Sequence, residues 1–227
     1  MSIETILKNA SNHSRNLFNL KSENKLYLRP ERLPEPKRQF YSLENWHMKK
    51  ELFSRTLNEI PITSNPYERN SILLRVQGNN NVGNCDQFSY MALEYLVENS
   101  KFIFELYKKP FNISLVSVCS NSNDFGHIFV VLSNNYQHQL NELFKQHENS
   151  EVWICDPWAN IVCRSHKYPF EWKIKMLKWH AQEKYLFTQK GITSPTKPQV
   201  YQLMELNNSH INVSYSEFID FTHYPIR

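Results

Sequence analysis

Cys85, His127 and Asp156 are the residue types of a thiol nucleophile, the base that deprotonates it and the carboxylate that orients the base. A thiol attacks as its thiolate, and unpaired N–H groups at a helix start favour that charge. Gly83-Asn84-Cys85 puts the thiol at such a start, so a lowered thiol pKa is expected. The same N–H groups, with Gln77, Asn79 or Asn80 as side-chain donors, could form an oxyanion hole. His127 follows Gly126 and opens an apolar run whose alternation puts His127, Phe129 and Val131 on one face. Asp156 closes the apolar run Val152-Trp153-Ile154-Cys155, where a carboxylate is costly unless it is paired. Taken singly, each has an ordinary structural explanation: a buried thiol, a satisfied histidine, an Asp-Pro turn. Together they stand in the order nucleophile, base, orienter.

These residues need elements to position them. From Cys85 onward, Phe88, Met91, Ala92, Tyr95 and Leu96 recur at helical spacing and define one apolar face. Residues 113–119 read as a strand, 121–126 as a turn, 127–132 as a second strand and 152–155 as a third, stopped by Pro157. Helices are expected over 43–57, with Trp46, Leu52, Phe53 and Leu57 as a buried stripe, over 136–147 and over 170–187. Residues 60–84 read as a loop. The polar stretch 1–38, ending in RPERLPEPKR, reads as a Pro-containing arm, and 39–227 as a single catalytic domain. A helix followed by consecutive strands predicts an α+β fold, the nucleophile helix packed on an antiparallel sheet.

The bulk composition narrows the function classes. Of 227 residues, 41% are hydrophobic and 14% aromatic, enough for a packed core. A formal net charge of +4 is too mild to point to nucleic acid, and no nucleic-acid partner is expected. No run approaches the roughly 18 apolar residues of a membrane helix. The opening stretch lacks the apolar segment of a secretory signal. Four cysteines, Cys85, Cys119, Cys155 and Cys163, are too irregular for a disulfide framework, so reduced thiols and a cytoplasmic setting are expected. Two of the four glycines, Gly83 and Gly126, sit beside the candidate chemical residues.

The segments GNCDQFSYMALEYL, GHIFVVL and VWICDPW resemble the three core motifs of the transglutaminase-like and papain-like cysteine superfamily, over about residues 77–163. The spacing from Cys85 to His127 to Asp156 suits a compact transglutaminase-like core better than papain itself. The chain also resembles bacterial effector cysteine proteases and glutamine deamidases. The resemblance implies Cys85 as nucleophile, His127 as base, Asp156 as third member, no cofactor, and a protein amide as substrate. It further implies secretion into a host cell, with a host protein as the partner. At the offset of the papain-type oxyanion glutamine stands Asn79, with Gln77 two residues earlier.

Other readings compete with it. Cys155, Cys163, His166 and His127 are zinc-ligand types, but no paired metal spacing occurs and Cys155 would point opposite to Asp156, so no metal is expected. The segment RSHKYPFEWKIKMLKWHAQEKYLF mixes cations with aromatics, and a non-catalytic papain-like binding module would use it as a basic aromatic helix. Trp172, Met176 and Trp179 near helical spacing favour a helix that covers the core instead.

Overall fold

The computed structural model describes residues 1–61, 65–134, 140–145, 150–188, 190–205, 207 and 209–222. Helix α1 (Ile3–Leu17) starts where the Ser2 hydroxyl accepts the Thr5 N–H, a cap worth about 1 kcal/mol. Its Ile6, Leu7 and Ala10 are buried with Leu93 and Leu96 of the helix that Cys85 opens and with Ile113 and Val130 of the central sheet. The expected arm over 1–38 is therefore corrected: its first half belongs to the core. The apolar stripe Ile6, Leu7 and Ala10, flanked by the partly buried Ile3 and Leu17, suffices for this in a helix whose other residues are polar. Strand β1 (Lys25–Tyr27) follows. The Pro-rich stretch makes a 3-10 turn, Pro30–Arg32, and then α2 (Glu35–Tyr41).

Helix α3 (Leu43–Glu59) matches its expected span, but it buries Lys49, Phe53 and Thr56 and leaves Leu57 exposed. The stretch 60–84 is not all loop. It contains α4 (Pro66–Gln77), which begins with Asn65 capping the Glu68 N–H and Pro66 in the first turn, and stops at Gly78 with φ +56°.

Helices α5 (Cys85–Glu98) and α6 (Ser100–Tyr107) lead into the antiparallel strands β2 (Phe111–Ser120), β3 (Gly126–Ser133), β4 (Val152–Asp156) and β5 (Ile161–Arg164). Of the helix expected over 136–147, residues 136–139 and 146–147 lie outside the described residues, and Leu140–Lys145 forms a 3-10 turn. Helix α7 (Tyr168–Ala181) ends short of the expected 187, because Lys184–Thr188 turns back as β6. Strand β7 (Gly191–Thr193), the short α8 (Pro198–Tyr201) and β8 (Ser209–Ile219) complete the chain. The central sheet has the order β5-β4-β3-β2-β8 with every pair antiparallel, and β1-β6-β7 form a smaller one. The protein is thus mixed α+β with antiparallel sheets.

Strict alternation sorts the central sheet into two buried faces. Ile113 and Leu115, Ile128 and Val130, and Cys155 face α1, α5 and α6. Val116 and Val118, Phe129 and Val131, and Ile154 face α7 and its aromatics. Each large apolar side chain buried this way is worth about 1.5–3 kcal/mol, so a one-residue register slip would be prohibitive. That register fixes His127 and Asp156 on the α7 face.

Candidate active site

Asn84 caps α5 through a reciprocal pair: its side chain accepts the Asp86 N–H at 3.0 Å, and the Gln87 side chain accepts the Asn84 N–H at 3.0 Å. Cys85 is the first helical residue. Gly83 is required just before it, since a Cβ there would lie 2.8 Å from the Gln87 Cβ and 2.9 Å from the Phe18 ring.

Strand β4 pairs with β3 only from Val130 onward, so the first residues of β3 present an unpaired edge. Helix α5 docks there. The Ile128 N–H hydrogen-bonds the Cys85 sulfur, and the Ser89 hydroxyl donates to the Ile128 carbonyl at 3.0 Å. Cys85 and Ser89 lie one turn apart on the same helix face, so the two bonds fix the thiol beside the residue that follows His127. Both Cys85 and His127 line one open cleft of about 650 Å³. That volume falls within the usual range for ligand pockets.

His127 is 3% exposed and Asp156 is 0% exposed. The His127 Nε2 lies 2.9 Å from Asp156 Oδ2, which also accepts the Tyr168 hydroxyl at 2.8 Å; Oδ1 accepts the Ala159 N–H at 2.9 Å. Burial acts to raise the Asp156 pKa, but His127, the Ala159 N–H and the Tyr168 hydroxyl outweigh it and hold the carboxyl below its ordinary range. An ionised Asp156 accepts only, which puts the neutral imidazole's proton on Nε2 and its lone pair on Nδ1. The His127 Nδ1 is buried and has no hydrogen-bond partner among the described residues. The ring is clamped by Trp158 and Trp172, each with its centroid 4.9 Å away. Those indoles are themselves tethered, Trp158 to Ser22 and Asn24, and Trp172 to the Val200 carbonyl.

The thiol departs from expectation. Burial and the Asp86 carboxylate push the Cys85 pKa well up, while the Ile128 N–H and the buried Lys25 pull it down less strongly. The lowering expected from the helix start is overridden by loss of hydration at the cleft floor. The Cys85 thiol donates to Asp86 Oδ1 at 3.9 Å and shares the cleft with His127, whose Nδ1 is unpartnered among the described residues.

The three residues read as nucleophile, base and orienter meet at one site; the oxyanion candidates do not join them. Gln77 spends its amide on the Thr56 hydroxyl, to which it donates at 2.9 Å, and on the Val82 N–H, which it accepts at 2.7 Å. It closes the 77–82 loop and does not line the cleft with Cys85. Asn79 and Asn80 are exposed on that loop, and Asn80 lines a separate pocket with Leu20 and Gln77. The zinc-type residues are likewise apart: Cys155 points to the opposite sheet face and donates to the Leu7 carbonyl at 3.4 Å. In the basic aromatic segment, Tyr168, Trp172, Met176 and Trp179 are buried in the core, Trp172 against His127, while Phe170 is exposed. Sequence reasoning did not single out Tyr168 or Ser89. Tyr168 opens α7, yet nothing in its spacing shows that it reaches Asp156.

Set against known protein families, curated proteins and solved structures, the chain matches none.

Proposed function

We propose that the protein is a cysteine-nucleophile acyl-transfer enzyme acting on protein amides, a protease or glutamine deamidase with a papain-like or transglutaminase-like core. The observation that carries this reading is His127: Nε2 is held by a buried carboxylate, and Nδ1 is buried without a partner in the same cleft as the Cys85 thiol. Most buried polar side-chain atoms have a hydrogen-bond partner. A nucleophile helix on an antiparallel sheet, with the base and its orienter on adjacent strands and one face, supports the architecture.

In this mechanism the Cys85 proton passes to His127 Nδ1 as the sulfur attacks the amide carbon, and Asp156 stabilises the imidazolium. The tetrahedral intermediate collapses with cleavage of the C–N bond, and His127 gives its proton to the departing amine or ammonia. The resulting thioester is hydrolysed by a water that His127 deprotonates, which releases the acid and restores the thiol. An amine in place of that water would give transfer.

The test uses p-nitrophenyl acetate, which needs no knowledge of the natural substrate. At neutral pH Cys85 should form a thioester detectable by mass spectrometry. Cys85→Ala should abolish that signal, and His127→Ala should slow it by about 10²–10⁴-fold, the usual general-base contribution. Acylation of Cys85 that is indifferent to His127 would remove the basis for the reading.

A further inference from the structure

Acyl transfer needs donors for the oxygen that becomes negative, and the loop residues expected to supply a side-chain donor face elsewhere. The geometry points to Asn24, through its side-chain NH₂, as the side-chain donor of the oxyanion hole, an inference that rests on the proposed acyl-transfer reading. Three observations carry it.

The first is placement. Ser22 forms a parallel bridge with Gly83, and the Glu23 N–H donates to the Gly83 carbonyl at 3.4 Å. Two residues beyond the members of that isolated bridge stand Asn24 and Cys85. Both residues line the same cleft.

The second is orientation. Asn24 Oδ1 accepts the Ser22 hydroxyl at 2.6 Å and the Trp158 indole N–H at 3.1 Å. An indole nitrogen can only donate, so the amide atom facing it must be the oxygen, and the NH₂ group is turned away from Trp158. Asn24 is held by backbone as well, since its carbonyl accepts the Phe187 N–H at 2.8 Å.

The third is availability. The Asn24 NH₂ makes no hydrogen bond with any described residue, and it is not among the buried polar atoms left without a partner, so it opens toward solvent. Paired with the Cys85 N–H, one of the orphan donors of the α5 start, it supplies a second donor from a separate strand-like segment. Trp158 ties this donor to the base, because the indole that orients Asn24 also packs on the His127 ring.

The experiment compares two reactions of Cys85 at one pH: acylation by p-nitrophenyl acetate, which passes through an oxyanion, and alkylation by iodoacetamide, which does not. The ratio of the two rates cancels the thiolate fraction. Cys85→Ala supplies the background, and thermal melting checks the fold. Asn24→Ala should lower the ratio by about 10²–10³-fold, the usual loss for one oxyanion donor. Asn24→Asp keeps an oxygen for Ser22 and Trp158 while losing the donor, and it should lower the ratio at least as far. An unchanged ratio in folded Asn24→Asp, or equal losses in both reactions, would overturn the assignment while leaving the acyl-transfer reading intact. A wild-type Cys85 that is alkylated but never acylated would overturn both.

Discussion

Replacing Asp156 with Asn tests the triad at its most constrained point. Three donors converge on the carboxylate, His127 Nε2–H at 2.9 Å and the Tyr168 hydroxyl at 2.8 Å on one oxygen, and the Ala159 N–H at 2.9 Å on the other. An amide has one oxygen, so it cannot serve both sides. If that oxygen keeps the Ala159 N–H, the NH₂ faces His127 and forces the ring to accept at Nε2, which moves the proton to Nδ1 and blocks it as a base. If the amide flips, its NH₂ meets the Ala159 N–H, donor against donor. With the first arrangement the cost in stability is the loss of two hydrogen bonds to a buried charge, about 1.5–3 kcal/mol each, partly offset by the reversed His127 contact. The cost in reactivity is the general-base term, about 10²–10⁴-fold in acylation of Cys85 by p-nitrophenyl acetate at neutral pH. Urea denaturation reads the first quantity and the burst of p-nitrophenolate the second. A folded Asp156→Asn protein that acylates at the wild-type rate would refute the argument, since it would show that the His127 tautomer does not matter.

Two further changes probe the same cleft through pH. Tyr168→Phe removes one of the interactions that hold Asp156 below its ordinary range. The stability that this carboxylate confers is complete above its unfolded value of about 3.9 and is lost as pH falls through the lower folded value, so in Tyr168→Phe the loss on acidification should begin at the same pH but be smaller and end at a higher pH. Denaturation curves taken down to about pH 2 check this, and coincident acid limbs would contradict it. Glu23, which lines the cleft, has its carboxyl pushed up to about 7 by burial, with Lys50 opposing. Here the folded protein keeps a proton that the unfolded chain has released, so stability falls as pH rises from about 4.3 toward 7. Glu23→Gln should remove that fall and, near pH 8, be the more stable protein by up to about 3 kcal/mol; an unaltered pH dependence would rule this out.

Periodicity was the reliable guide in the sequence. The apolar recurrence after Cys85 and the alternation after His127 located α5 and β3, and the shared face of His127, Phe129 and Val131 is the one observed. Elements whose signal is weak by nature were harder to read. Strand β8 runs along the sheet edge with many residues exposed, so Ser209–Ile219 carries little hydrophobic alternation. Helix α1 looked like an arm because its buried stripe is short, and α4 was hidden by its low amphipathicity, although Asn65-Pro66 is a recognisable helix start. The supporting residues of the site were not legible at all. Asn24, Tyr168 and Ser89 contact it through pairings between distant parts of the chain, and no local pattern encodes those.

The raised Cys85 thiol and the apolar clamp on His127 are two consequences of one construction. Trp158 and Trp172 exclude water from the ring, which leaves the His127–Asp156 attraction weakly screened and keeps Nδ1 from finding a solvent partner. Burial likewise raises the pKa of the half-buried Cys85 thiol. Such a site gains little from a preformed ion pair. Under the proposed acyl transfer it would depend on moving the proton and placing the new negative charge in a single event, on donors already aimed at the substrate oxygen. The proposed reading gives a role to the way Ser22–Asn24, far from α5 in sequence, lies alongside Gly83 and is fixed there through Trp158, the indole that also packs on His127. Disturbing Trp158 should therefore damage the base and the oxyanion donor together, whereas Asn24 variants should affect only the second.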